Sequence, residues 1–136
     1  MYEVFLCYCP AHFPFIFARH TWLVINENGN FSKYEVLFEK NSDTQKGYIH
    51  ISTKKVFEGI QVLPRGSGFV WKGNILGSIR GKEAGKIIEN IKKSVTNYPH
   101  IKKYKVTGPN SNTYVQWILD KCPGWEVKLP WNAFGK

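Results

Sequence analysis

The segment that decides the fold runs Ile16-Phe17-Ala18-Arg19-His20-Thr21-Trp22-Leu23-Val24-Ile25-Asn26. It turns at Asn28-Gly29 and returns through Lys33-Tyr34-Glu35-Val36-Leu37-Phe38-Glu39. The first run is rich in β-branched and aromatic residues, which suit a pleated, half-buried surface. Asn-Gly supplies the positive φ angles of a two-residue hairpin turn, and the return run alternates in polarity. A turn that pairs residue 27 with residue 30 sets His20 opposite Leu37 and Trp22 opposite Glu35. Thr21, Leu23, Ile25, Tyr34, Val36 and Phe38 then share a face that reads as core. His20 and Glu35 fall on the other, mixed face as diagonal neighbours, roughly 7 Å apart.

On the N-terminal side, Cys7 and Cys9 alternate along an apolar stretch and face one side of a strand. On the C-terminal side, a polar loop spans Lys40 to Lys46. Residues 47–52 and 56–63 read as short strands, Gly66-Ser67-Gly68 as a loop, and 69–71 and 75–80 as edge strands. A helix follows from Lys82 to Thr96, with Ala84, Ile87, Ile88, Ile91 and Val95 on one stripe. A second helix starts at Gly108-Pro109-Asn110-Ser111-Asn112 and runs to Lys121. Its stripe is Tyr114, Val115, Ile118, Leu119 and Cys122, and Pro123-Gly124 stops it. Strands first and helices last predict an α+β fold, a small antiparallel β-sheet with two main helices.

With 136 residues the chain reads as a single domain, 1–136, able to bury a core without disulfides or a structural metal. Hydrophobic residues make up 43% and charged residues 21%, which excludes a disordered chain. No apolar run is long enough for a transmembrane segment. The net charge of +9 admits weak, non-specific attraction to nucleic acid. Lys outnumbers Arg sixteen to three, however, and no base-reading motif accompanies the charge. An odd cysteine count and the lack of a signal-peptide pattern predict buried reduced thiols and a cytoplasmic location. Cys7, Cys9 and His12 lack the paired spacing of a zinc site, so no metal and no cofactor are expected.

Two places carry candidate chemistry. A carboxylate that holds an imidazole is the ordinary way to orient a general base, which singles out His20 with Glu35. The same pair also fits a purely stabilising contact. Ser111 sits at a helix start, where free N–H groups favour an oxyanion or a nucleophile. Asn110 or Ser111 also fits a plain N-cap. His12, His50 and His100 carry little weight, and the chain has no phosphate loop, HExxH, GxSxG or CxxC.

His20-Thr21-Trp22, Tyr34-Glu35-Val36, Tyr98-Pro99, Gly108-Pro109-Asn110-Ser111-Asn112-Thr113 and the Leu129-Pro130 to Ala133-Phe134-Gly135-Lys136 ending resemble an uncharacterised bacterial domain-of-unknown-function family, from residue 16 onward. More remotely, the order of His strand, polar strand and helix-start nucleophile is similar to circularly permuted papain-like proteins, the NlpC-like and lecithin:retinol acyltransferase-like groups. That similarity implies a permuted papain-like arrangement, with His20 as base, Glu35 as its orienter and Ser111 where such proteins carry cysteine. It also implies a groove by Trp22, Asn110, Asn112 and Thr113 that holds a small-molecule, peptide or lipid ligand. With serine in place of cysteine, the expectation is a binding module or a catalytically weakened relative of amidohydrolases. The alternatives are an active hydrolase or acyltransferase on an amide or ester, and a non-specific basic nucleic-acid-binding domain.

Overall fold

Alternation along the N-terminal run sets the frame of the molecule. In β1 (Tyr2–Pro10), Val4 and Leu6 turn to one side of the sheet, and Phe5, Cys7 and Cys9 turn to the other. An apolar residue at nearly every position is the mark of a strand covered on both faces. The computed structural model describes residues 1–39, 44–63 and 68–136. Parts of the loops expected at 40–46 and 66–68 lie outside these residues.

β2 (Arg19–Glu27), β3 (Asn30–Phe38), β4 (Gly47–Ser52) and β7 (Asn74–Arg80) join β1 in a five-stranded antiparallel sheet of order β4-β3-β2-β1-β7. Between β4 and β7 the chain forms a separate two-stranded ribbon, β5 (Glu58–Gln61) with β6 (Val70–Lys72). Two helices follow, α1 (Lys82–Asn97) and α2 (Ser111–Asp120). The α+β class and the two helices are as the sequence predicts. The N-terminal run proves to be an interior strand of the main sheet, between β2 and β7.

The layers are helices, sheet and ribbon. Helix α1 packs on β1 and β7, and α2 on β2 and β3. Between them lies the main core, including Leu6, Leu23, Ile25, Ile88, Ile91, Tyr114 and Ile118. A second apolar cluster of Cys7, Cys9, Trp22, Val24 and Val56 lies on the outer face of the sheet, beneath the ribbon. The stripe expected for α2 is buried throughout. In α1, Val95 is exposed and Ser94 takes the inward position, its Oγ 2.7 Å from Tyr114 Oη. A buried hydroxyl at that position is tolerated because it has this partner. Phe38, expected in the core, is partly exposed at the end of β3, with its ring on Tyr104.

The β2–β3 hairpin turns at Asn28-Gly29, both with positive φ, and pairs Glu27 with Asn30 as the Asn-Gly signal requires. Its ladder runs only as far as Leu23 opposite Tyr34. The pairing expected to continue to His20 and Leu37 is replaced by side chains, and the candidate residues lie at this point. Ile118 has no solvent exposure. Ile118→Ala should cost about 2–5 kcal/mol, read as a lowered midpoint of urea denaturation with an unchanged slope.

Candidate functional site

Continuing the hairpin register past Leu23 and Tyr34 would pair Thr21 with Val36. Ser111 occupies that position instead. Its hydroxyl donates to the Thr21 carbonyl at 2.6 Å and accepts from the Val36 N–H at 3.2 Å, so it relays a ladder bond across the gap. Asn112 completes the substitution. Its Oδ1 accepts from Thr21 N–H at 3.0 Å and Thr21 Oγ1 at 2.7 Å, and its Nδ2 donates to the carbonyls of Arg19 and Phe134 at 2.8 and 2.9 Å. All four hydrogen-bonding positions of the amide are used.

Asn110 is the N-cap of α2, with Oδ1 accepting from the N–H groups of Asn112 and Thr113. Thr113 Oγ1 accepts in turn from Asn110 N–H and donates to the Gly135 carbonyl, a reciprocal capping box. Asn110 Nδ2 reaches the carbonyls of Lys105, Val106 and Phe134. The C-terminal tail comes so close that a Cβ on Gly135 would lie 2.7 Å from Asn110 Oδ1. The positive φ of Gly135 is a second reason for glycine there. The Asn110-Ser111-Asn112-Thr113 block thus fastens β2, β3 and the tail to one helix end.

On the outer face the same splayed strands are bridged by charge. His20 Nε2 lies 2.7 Å from Glu35 Oε1, and both side chains are buried. Glu35 Oε2 takes His50 Nδ1 at 3.0 Å and Lys33 Nζ at 3.2 Å. The Lys33 ammonium also donates to the Glu58 carbonyl at 2.7 Å and lies 4.7 Å above the Trp22 ring, on which His20 stacks. Burial alone would raise the Glu35 carboxyl. The bonds from His20 and His50, with the charges of His20 and Lys33, outweigh it and hold Glu35 far below the ordinary carboxylate range. On the face expected to be mixed, His20, Lys33 and Glu35 are buried, and His50 stays partly exposed at its edge.

The structure therefore brings His20 and Glu35 together but does not bring Ser111 to them. Ser111 enters from the helix side and turns to Thr21 and Val36, whereas His20 turns to the outer face. Of the helix-start N–H groups, expected as oxyanion donors, those of Asn112 and Thr113 already bind Asn110 Oδ1. Trp22 is fully buried, its indole N–H donating to the Val56 carbonyl at 2.9 Å. Asn110, Asn112 and Thr113 likewise spend their polar atoms on the chain itself.

Sequence reasoning passed over three members of the outer cluster. Lys33 and His50 enter through the strand pairings, and Cys9 sits directly opposite His20 in the β1–β2 ladder. The Cys7-x-Cys9 alternation was the only local signal for Cys9, and it does not indicate a partner. Burial pushes the Cys9 thiol up to about 11 and Cys7 up to about 12, and all three cysteines are unpaired. A thiol so placed stays protonated at neutral pH and is a poor nucleophile. Among the described residues, no group of three or more His, Cys, Asp or Glu is arranged to hold a metal ion, and no helix is long and apolar enough to cross a membrane.

Two outcomes follow from this geometry. Asn112→Ala leaves Thr21 N–H and the Arg19 carbonyl without their partner and should lower stability by about 2–4 kcal/mol, measured by urea denaturation. Glu35→Gln strips the buried Lys33 of its counter-charge and should cost about 3 kcal/mol at pH 7. The folded-state pKa of Glu35 lies below the ordinary 4.5. Its contribution is therefore complete above that value and is lost as pH falls toward the lowered one. Denaturation at pH 7 and pH 3 should show the gap between wild type and Glu35→Gln narrowing at the lower pH.

Compared with known protein families, residues 3–136 match the family described as "Protein of unknown function (DUF3750)". No curated protein and no solved structure matches the chain. The match spans nearly the whole sequence, including the hairpin, the Asn110–Thr113 block and the tail that folds back on it: the chain belongs to the DUF3750 family.

Proposed function

We propose that this domain is a binding module for a small anionic amphiphile, a ligand with an apolar body and a carboxylate or phosphate at one end. The observation that carries the reading is a pocket of about 760 Å³ between β3 and the ribbon. That volume falls within the range of small-molecule sites. Its floor and walls come from Phe31, Val56, Phe57, Val70 and Trp71, and its charged lining from Lys55, Lys72 and Glu58. The aromatic floor is fixed by ring contacts of Phe57 with Phe5 at 5.4 Å and with Phe31 at 6.1 Å.

The distribution of polarity suggests the ligand class. Apolar walls contribute through burial of hydrocarbon, and two exposed ammonium groups beside them favour an anionic end.

Hydrolysis with Ser111 as nucleophile asks more of the chain. The Ser111 hydroxyl would have to leave both the Thr21 carbonyl and the Val36 N–H, and the His20 ring would have to leave Glu35 or turn about it. The binding reading needs no such rearrangement.

Calorimetric titration with dodecanoate and with dodecylamine tests the proposal. Dodecanoate should bind saturably and dodecylamine should not. Val70→Glu, which places an anion on an apolar wall, should weaken dodecanoate binding by about tenfold or more. Joint Lys55→Glu and Lys72→Glu substitution should reverse the preference between the two amphiphiles. No saturable heat with dodecanoate, or binding indifferent to these changes, would overturn the reading.

A further inference from the structure

One end of the molecule exposes large apolar side chains on three separate segments. Phe13, Ile16 and Phe17 come from the connection between β1 and β2, Leu63 and Phe69 from the two sides of the ribbon loop, and Trp131 from the tail. Trp131 is 79% exposed, Phe69 72%, Phe17 62% and Phe13 55%. Scattered single exposures would be ordinary, but a contiguous set is not.

These side chains do belong together. Phe13 N–H donates to the Val62 carbonyl at 2.7 Å, and Val62 N–H to the Phe69 carbonyl at 3.0 Å, which ties the first connection to the ribbon loop. Ring contacts run from Phe15 to Phe17 at 6.3 Å, from Phe17 to Phe134 at 6.3 Å, and from Phe134 to Trp131 at 6.4 Å. Asn132 Nδ2 donates to the Phe17 carbonyl at 2.8 Å, and its own carbonyl accepts from Arg19 N–H. The exposed tips are therefore held in place by backbone bonds and by the partly buried rings behind them.

Cations sit beside the apolar tips. Arg19 Nη1 donates to the Ile16 carbonyl at 3.2 Å, and Lys136 Nζ to the Trp131 carbonyl at 3.0 Å. In sequence, residues 10–19, 59–72 and 127–136 contain no Asp or Glu.

We propose that this end docks on a lipid surface bearing anionic headgroups, with Phe13, Phe17, Phe69 and Trp131 entering the interface and Arg19 and Lys136 meeting the headgroups. Apolar tips backed by cations match the two layers of such an interface, hydrocarbon beneath and negative charge above. Aromatic rings, Trp above all, are well suited to the boundary between them. Charge decides against a second copy of the chain as the occupant. Self-association would bring together two bodies that each carry +9, whereas an anionic surface attracts that charge.

Flotation of the full chain with vesicles tests this surface independently of the amphiphile pocket, because none of the substituted residues lines the pocket. The chain should bind vesicles containing phosphatidylglycerol and bind phosphatidylcholine vesicles at least tenfold more weakly, with the difference shrinking at high salt. The double variant Phe17→Ser/Trp131→Ser alters exposed side chains, so its thermal melt should match wild type, and its partition onto anionic vesicles should fall about tenfold or more. Lys136→Glu should weaken binding to the anionic vesicles alone. No binding to anionic vesicles, or equal binding by the double variant, would overturn the proposal, the second result assigning any attraction to the general Lys-rich surface. Equal binding to neutral vesicles, or a wild-type dimer that the double variant does not form, would also overturn it.

Discussion

The fold depends on how two strands are held where they stop pairing. Beyond Leu23 and Tyr34, β2 and β3 no longer exchange backbone hydrogen bonds, yet Thr21, Trp22, Glu35 and Val36 there are buried. A backbone N–H or C=O left unmatched in such a place costs as much as a lost hydrogen bond or more. Ser111 and Asn112 meet that demand by inserting side-chain oxygens and an amide into the gap. Because the same residues begin α2, closing the gap also fixes where that helix sits. Because Asn110, Asn112 and Thr113 hold the carbonyls of Phe134 and Gly135, the tail is fixed as well.

The opposite face of the same splayed strands is bridged by a largely buried ionic cluster. Two imidazoles and an ammonium converge on one carboxylate, and the Trp22 ring under the Lys33 ammonium completes its surroundings. Buried ion pairs seldom add net stability over apolar residues of the same size, but removing one member leaves an uncompensated charge. The cluster therefore favours one arrangement of β2, β3, β4 and the ribbon over alternatives with slipped pairing. The ribbon is equally specified from beneath: a Cβ on Gly59 would lie 2.5 Å from Cys9 Sγ. That close approach helps to bury Cys9 beneath the ribbon.

The pocket lies on the ribbon side of the sheet, where the ribbon meets Phe31, and the exposed aromatic tips lie at one end of the molecule, where the β1–β2 connection, the ribbon loop and the tail meet. Neither uses the buried groups around Glu35. Positive charge is spread over much of the remaining surface, with Lys the predominant cation. Such a field attracts anionic surfaces at long range, while the apolar features supply the short-range contacts.

The hairpin register at Asn28-Gly29, the two helices with most of their inward residues, and the α+β class were legible in the residues alone. Each follows from a local rule: turn chemistry, the helical period, or alternation along a strand. The sequence also singled out His20, Glu35 and Ser111, without the partners that the structure gives them. His20 and Glu35 emerged as neighbours because diagonal contacts follow directly from register. Ser111 stood out as a helix-start hydroxyl, but nothing local shows that two strands part beside it and need its oxygen. Only the packed chain shows this, along with the burial of His20 beside Glu35 and Trp22, the placing of Cys9 opposite it and the return of the tail to Asn110. The physical reason is that hydrogen-bonding need arises where distant segments meet. A side chain's chemistry is written in the sequence, but the backbone groups left for it to satisfy are known only once the strands, helices and tail have packed.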